Sequence, residues 1–190
     1  MLFDREGKAL QLRSVIDIKP EKRNTLTLVL LAIYLLALAW LILFKLQFSI
    51  AVMEEGRVAN LIPFLGSFDY NGVIRFGEIR NNILAFIPLG IYICMLKSEW
   101  SFVKKVLAAV VLTLAFETTQ FIFAIGRADI TDVLSNTLGG VIGIGGYALL
   151  FRLMKGKTNK VLNVLAAVLT ALAILFVVLL LVNHRWVRIR

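Results

Sequence analysis

Two stretches of this chain, residues 25–44 and 161–182, are each long enough to cross a bilayer and contain no charged side chain. A helix needs roughly 20 predominantly apolar residues to traverse the hydrocarbon core, so a chain carrying such runs near both ends is committed to membrane insertion. Composition agrees. Apolar residues make up 59% of the sequence and the mean hydropathy is +0.86, against about 45–50% apolar in soluble folds. The fold class expected is all-α, a polytopic transmembrane bundle of about five helices.

The three inner spans differ in kind from the outer two. The second, about 81–96, begins with Asn81-Asn82 and carries Pro88 near its middle. Proline removes one helical hydrogen bond, which membrane helices tolerate where a neighbour satisfies the freed carbonyl. The third, about 103–125, holds Glu117 and Gln120, and the fourth, about 130–151, holds Gly139, Gly140, Gly143, Gly145 and Gly146. Residues 1–24 read as a polar tail that mixes Leu and Ile with charges and lies along the membrane surface. Residues 25–151 form the core, and 152–190 a basic loop, the fifth span and a short basic tail. The long first loop contains Asn60-Leu-Ile-Pro-Phe64, an apolar patch too short to span, expected to dip into the outer leaflet or cap the bundle. With 24 mostly polar residues before it, the first span is expected to stay as an anchor.

The net charge of +9 does not indicate a nucleic-acid partner, because the basic residues lie between and beside the apolar runs. Thirteen Lys and Arg fall in the N-terminal tail and the second and fourth loops, against eight on the other side. That asymmetry predicts a cytoplasmic N-terminus, although the basic C-terminal tail pulls the other way. Cys94, the single cysteine, falls inside an apolar run and reads as a buried inert thiol. His184, the single histidine, sits beside Arg185 at the end of the last span, which disfavours His-based triads. No cofactor fingerprint or metal-ligand spacing is present, so neither cofactor nor metal is expected.

A carboxylate at membrane depth costs about 2.5–3.5 kcal/mol on insertion scales, so it faces partners or a polar cavity. Asp129, Asp132, Asn136, Gly139 and Gly143 are spaced three, four, three and four apart and share one helix face, polar at one end and smooth further in. Glu117 and Gln120 form a matching stripe on the third span. On a continuous helix Glu117 lies about 15 Å from Arg127, so it is expected well below the rim where the aspartates sit. These positions predict a cleft lined by Asn82, Glu117, Gln120, Arg127, Asp129, Asp132 and Asn136, with Arg127 neutralising one or more acids. Gly139, Gly140 and Gly143 are assigned to helix packing. Ordinary capping accounts equally well for Asp129, and a hard cation held by Glu117, Asp129 and Asp132 is the less favoured use of the acids.

The ordered set Asn60-Leu-Ile-Pro-Phe64, Asn82-Ile-Leu-Ala-Phe-Ile-Pro-Leu-Gly90, Glu117-Thr-Thr-Gln120 and Arg127-Ala-Asp-Ile-Thr-Asp-Val-Leu-Ser-Asn-Thr-Leu-Gly-Gly140 resembles the VanZ-like family of bacterial membrane proteins over about residues 25–150. The resemblance implies a multi-pass protein of the bacterial cytoplasmic membrane, in a family whose founding member confers resistance to teicoplanin, a lipid-tailed glycopeptide. It supplies no biochemical mechanism.

The reading favoured by these residues is a polar cleft at the outer leaflet that engages an amphiphile, either a cell-envelope lipid, a lipid-linked cell-wall precursor or a lipoglycopeptide. Phe86, Phe116, Phe121 and Phe123 are expected to supply some of its greasy wall. The alternative is a membrane-embedded enzyme with Glu117, or one of Asp129 and Asp132, as general base, disfavoured by the missing Ser-His or Cys-His set. A transporter is third, since no internal repeat is visible.

Overall fold

A computed structural model describes residues 25–44, 58–65, 76–125 and 127–188. Five helices follow in order: α1 (Thr25–Phe44), α2 (Phe76–Leu96), α3 (Phe102–Phe123), α4 (Ile130–Met154) and α5 (Thr158–Arg188). Two three-residue strands accompany them, β1 (Val58–Asn60) before α2 and β2 (Arg127–Asp129) before α4. Four helical stretches, the last running through α4 and α5, are long and apolar enough to cross a membrane, and the all-α bundle expected from the sequence is what forms. The N-terminal tail, most of the first loop and the side chain of His184 lie outside the described residues.

Residues Ile130–Leu180 make one apolar helical stretch of 51 residues, about 77 Å if straight, more than twice a bilayer core. It is broken by a 3₁₀ turn at Lys155–Lys157, where Lys155 adopts φ 49°. Tyr147 Oη donates to Asn159 Oδ1 at 2.9 Å, although residues twelve apart on a straight helix are about 18 Å distant. The chain therefore bends at this turn, and α4 and α5 are separate helices. The loop expected between them is no more than this turn.

Packing between α2 and α4 explains the glycines. A Cβ on Gly139 would lie 2.2 Å from the Ile83 carbonyl oxygen, one on Gly143 2.1 Å from that of Ile87, and one on Gly90 2.1 Å from that of Gly140. The two backbones touch along this seam, as small residues permit in lipid. Gly145 and Gly146 face open space. Leu38, Ile42, Phe86, Leu89, Ala109 and Phe116 form the core between α1, α2 and α3, with Phe86 edge-on to Phe116 at 6.4 Å. Pro88 deprives the Leu84 carbonyl of its helical donor, and one residue on, Tyr34 Oη donates to the Ala85 carbonyl at 2.7 Å.

At the other end of α1, Thr27 and Asn163 hydrogen-bond reciprocally at 3.1 and 2.8 Å, both buried. This joins the first turn of α1 to the second turn of α5. Beyond it the described side chains of α5 are mostly exposed and apolar, a surface suited to lipid.

Candidate functional site

α3 ends earlier than its apolar pattern suggests. Ala124 takes a left-handed conformation (φ 52°, ψ 35°) and its N–H turns back to the Gln120 and Phe121 carbonyls, while Ile125 N–H reaches Gln120 O at 3.1 Å. This is a Schellman-type stop, with alanine where glycine is usual. The chain re-enters as β2, which pairs in parallel with β1 in the register Val58↔Arg127, Ala59↔Ala128, Asn60↔Asp129. The expected 15 Å separation between Glu117 and the rim therefore disappears. Asp129 N–H donates to Glu117 Oε2 at 2.8 Å.

Around that bond a latch is built. Asp129 Oδ1 accepts from Thr131 N–H at 2.8 Å, capping α4, and its Oδ2 accepts from Asn60 Nδ2 at 3.0 Å. Phe64 N–H donates to Thr131 Oγ1 at 2.8 Å, so the segment after β1 is seated on the start of α4. Three of these four bonds satisfy backbone N–H groups of the strand, the helix start and the segment after β1. Residues 61–65 thus cap the bundle, and Leu61, Ile62, Phe64 and Leu65 remain exposed. Glu117 is 5% exposed and does not line the neighbouring cavity.

That cavity lies beside the latch, between α1, α2, α3 and α4. Its volume is about 260 Å³ and its walls are Leu41, Ile42, Glu78, Asn81, Asn82, Gln120, Asp132 and Asn136. The structure thus brings together four of the seven cleft residues expected, Asn82, Gln120, Asp132 and Asn136. Glu117 and Asp129 belong to the latch. Arg127 lies on β2, outside the cavity; it forms no ion pair among the described residues, and its buried Nε has no hydrogen-bond partner. The pairing of β1 with β2 sets Arg127 opposite Val58 in register. Nor do the phenylalanines line the cavity. Phe86 and Phe116 are core, Phe121 and Phe123 are exposed, and the apolar wall comes from Leu41 and Ile42.

Glu78 and Asn81 were not anticipated as lining residues. α2 starts at Phe76, about five residues before its apolar pattern becomes visible, and this places Glu78 one turn from Asn82. The cavity is layered, with Glu78 and Asn81 at an exposed rim and Asn82 and Asp132 half-buried below, linked at 2.7 Å from Asn82 Nδ2 to Asp132 Oδ1. Gln120 (1% exposed) and Asn136 (0%) lie deepest. Gln120 Nε2 donates to Ile42 O at 2.9 Å, one of the last carbonyls of α1. A carbonyl can only accept, so the Gln120 NH₂ must face it, and its Oε1 is buried without a donor. Asn136 Nδ2 is paired with Thr113 Oγ1 at 2.8 Å, and Asn136 Oδ1 likewise has no donor. The buried polar atoms beside the cavity are thus short of donors.

Among the described residues no three His, Cys, Asp or Glu converge as a metal site. Of the three acids in the cation alternative, Asp129 uses both oxygens and Glu117 its Oε2 in backbone and Asn60 bonds, and Asp132 alone lines the cavity.

A bundle of apolar spans with a latched polar hollow at one end defines a multi-pass membrane protein. The VanZ/LLP1 family model matches residues 31–155, and the chain is 41% identical over 164 residues to Protein VanZ of Enterococcus faecium, covering 84% of this chain and 93% of that protein. The chain belongs to the VanZ/LLP1 family. No solved structure matches it.

Proposed function

We propose that the cavity receives the polar head of an amphiphilic cell-envelope molecule, a lipid or a lipoglycopeptide, and that this engagement underlies a teicoplanin-type resistance role. The observation carrying this reading is the pair of buried, donor-less oxygens, Gln120 Oε1 and Asn136 Oδ1, beside a cavity that also carries two carboxylates, Glu78 and Asp132, and no Lys or Arg. Leaving a buried acceptor unmatched costs about 1–3 kcal/mol, which a ligand bearing hydroxyl or ammonium donors recovers. Such a hollow suits an amino- or hydroxyl-rich head and disfavours a phosphate.

At about 260 Å³ the hollow is smaller than the roughly 300–1,000 Å³ of drug-sized sites. It takes one sugar-sized or amine-bearing group and leaves a lipid tail outside, beside Leu61, Ile62, Phe64 and Leu65 on the capping segment. The catalytic alternative with Glu117 as general base gains no support from the arrangement, since Glu117 is held by the Asp129 N–H and is absent from the cavity wall.

The test compares teicoplanin protection in cells expressing the parent protein, Glu78→Gln, Asn82→Ala or Asp132→Asn, each checked for equal membrane insertion. A glycopeptide without a lipid tail serves as control. Loss of protection against the tailed drug alone supports the proposal. Undiminished protection by all three variants overturns it.

A further inference from the structure

At the end of the bundle away from the strands, a second hollow of about 680 Å³ opens between α1, α2 and α3. Its walls are apolar, formed chiefly by Leu35, Leu89, Tyr92, Leu107, Val111 and Leu112. Its mouth carries Lys97, Trp100 and Lys104, on and beside the turn that joins α2 to α3. We propose that this groove holds one acyl chain of an anionic phospholipid, with its phosphate between Lys97 and Lys104. The site is separate from the polar cavity and shares no residue with it.

Length supports a single-leaflet lipid. Along α3 the groove runs from Lys104 to Ala115, eleven residues or about 17 Å of helix. Half of a hydrocarbon core about 30 Å thick is about 15 Å, so the groove matches the depth of one leaflet. Trp100 stands at the level where tryptophan marks the membrane interface, and Lys97 Nζ lies 5.2 Å over its ring.

Charge selects the headgroup. Lys97 has Glu99 at 4.0 Å, both partly exposed, and Lys105 Nζ donates to Ser98 O at 3.3 Å. Three lysines around the turn against one glutamate leave an excess of positive charge. Lys104 and Lys105 also sit at the start of α3, where the helix dipole disfavours cations and favours an anion, and no acidic residue occupies that first turn. A lipid phosphate relieves this crowding, and its chain covers the apolar walls.

Purified full-length protein, exchanged into equal amounts of phosphatidylglycerol and phosphatidylcholine with matched acyl chains, is examined by native mass spectrometry. The parent is expected to retain phosphatidylglycerol preferentially. Since each lysine near a lipid surface contributes roughly a fivefold preference, Lys97→Gln with Lys104→Gln is expected to cut the selectivity about twentyfold or more. Ala108→Phe and Ala115→Phe, each filling the groove, are expected to expel both lipids while leaving the unfolding midpoint of the protein unchanged. Displacement of the lipid by glycerol phosphate alone would assign the site to a soluble phosphate and overturn the acyl-chain assignment. Equal retention of the two lipids by the parent, or selectivity unmoved by the double lysine variant, overturns the proposal.

Discussion

Replacing Gly143 by alanine isolates the α2–α4 seam. The new Cβ would meet Ile87 O at 2.1 Å, Ile87 C at 3.0 Å and Gly90 Cα at 3.1 Å, all of them backbone atoms. No rotamer change relieves that contact, so the helices must part by about 1.3 Å to restore an ordinary 3.4 Å approach. A gap of 0.5–1 Å already forfeits a quarter to a half of a dispersion well, and overpacking costs about 1–3 kcal/mol. The upper end applies because the obstacle is main chain. Alanine returns about 1 kcal/mol of helix propensity, so the net loss expected is about 2 kcal/mol. Gly145→Ala on the same helix is the internal control, since nothing lies within 4 Å of its Cβ position, and it should gain up to about 1 kcal/mol. Reversible unfolding in mixed detergent micelles, with both variants in parallel, reads the difference of about 3 kcal/mol. Parting α2 from α4 also stretches the Asn82–Asp132 bond, so Gly143→Ala should weaken cavity function as well. Equal stability of the two variants would refute the close seam and the placement of the cavity built upon it.

Three further outcomes are expected. Glu117→Gln preserves an acceptor for the Asp129 N–H and should lower stability by no more than about 1–2 kcal/mol with function retained, whereas Glu117→Leu leaves that N–H buried and unpaired at a cost of about 1–3 kcal/mol; a stable but inert glutamine variant would restore the general-base reading. Asn163→Leu removes both bonds to Thr27 and should weaken docking of α5 on α1 by about 0.6–2 kcal/mol, visible as reduced cross-linking between cysteines placed on the two helices. With the N-terminus in the cytoplasm, as the basic residues predict, Glu99→Cys in a Cys94→Ser background should react with an impermeant maleimide only in inverted vesicles; reaction in intact cells reverses the orientation.

The spans were legible because membrane insertion is decided by length and apolarity, which residues carry independently of their neighbours. The boundaries of α1 follow directly from its 20 uncharged residues. The glycine seam was legible for a related reason, since small residues at helical spacing have few other uses. Two features escaped. The start of α2 lies in Phe76-Gly-Glu-Ile-Arg-Asn-Asn, a sequence without apolar periodicity, so Glu78 and Asn81 were not placed on a helix that carries them to the cavity. The end of α3 depends on Ala124 entering a left-handed conformation without glycine, which its side chain does not announce. Continuing the helix two residues too far put Glu117 and Asp129 at different depths and concealed the bond between them. The three-residue parallel pairing of β1 with β2 joins segments about 70 residues apart, and pairing across such a distance is not encoded in either segment alone.

One polar cluster in the sequence therefore resolves into two physical objects, separated by which side chains line the cavity. Asp129 Oδ1 and Glu117 Oε2 accept from backbone N–H groups at the start of α4 and the end of β2, and Asp129 Oδ2 accepts from the Asn60 side chain. Their burial is explained by architecture, because without them the backbone that closes this end of the bundle would lack partners at membrane depth. Gln120 and Asn136 are different. Each uses its NH₂ to tie helices together, Gln120 to α1 and Asn136 to α3, and each leaves an oxygen without a donor beside a hollow. A leucine at either position would avoid an unmatched oxygen, so keeping the amide there has a cost in the isolated protein. The unmatched oxygens beside the cavity are the atoms that the donors of the proposed ligand would meet. A variant that silences function without loosening the bundle should therefore map to Glu78, Asn82 or Asp132 around the cavity, and not to Glu117 or Asp129.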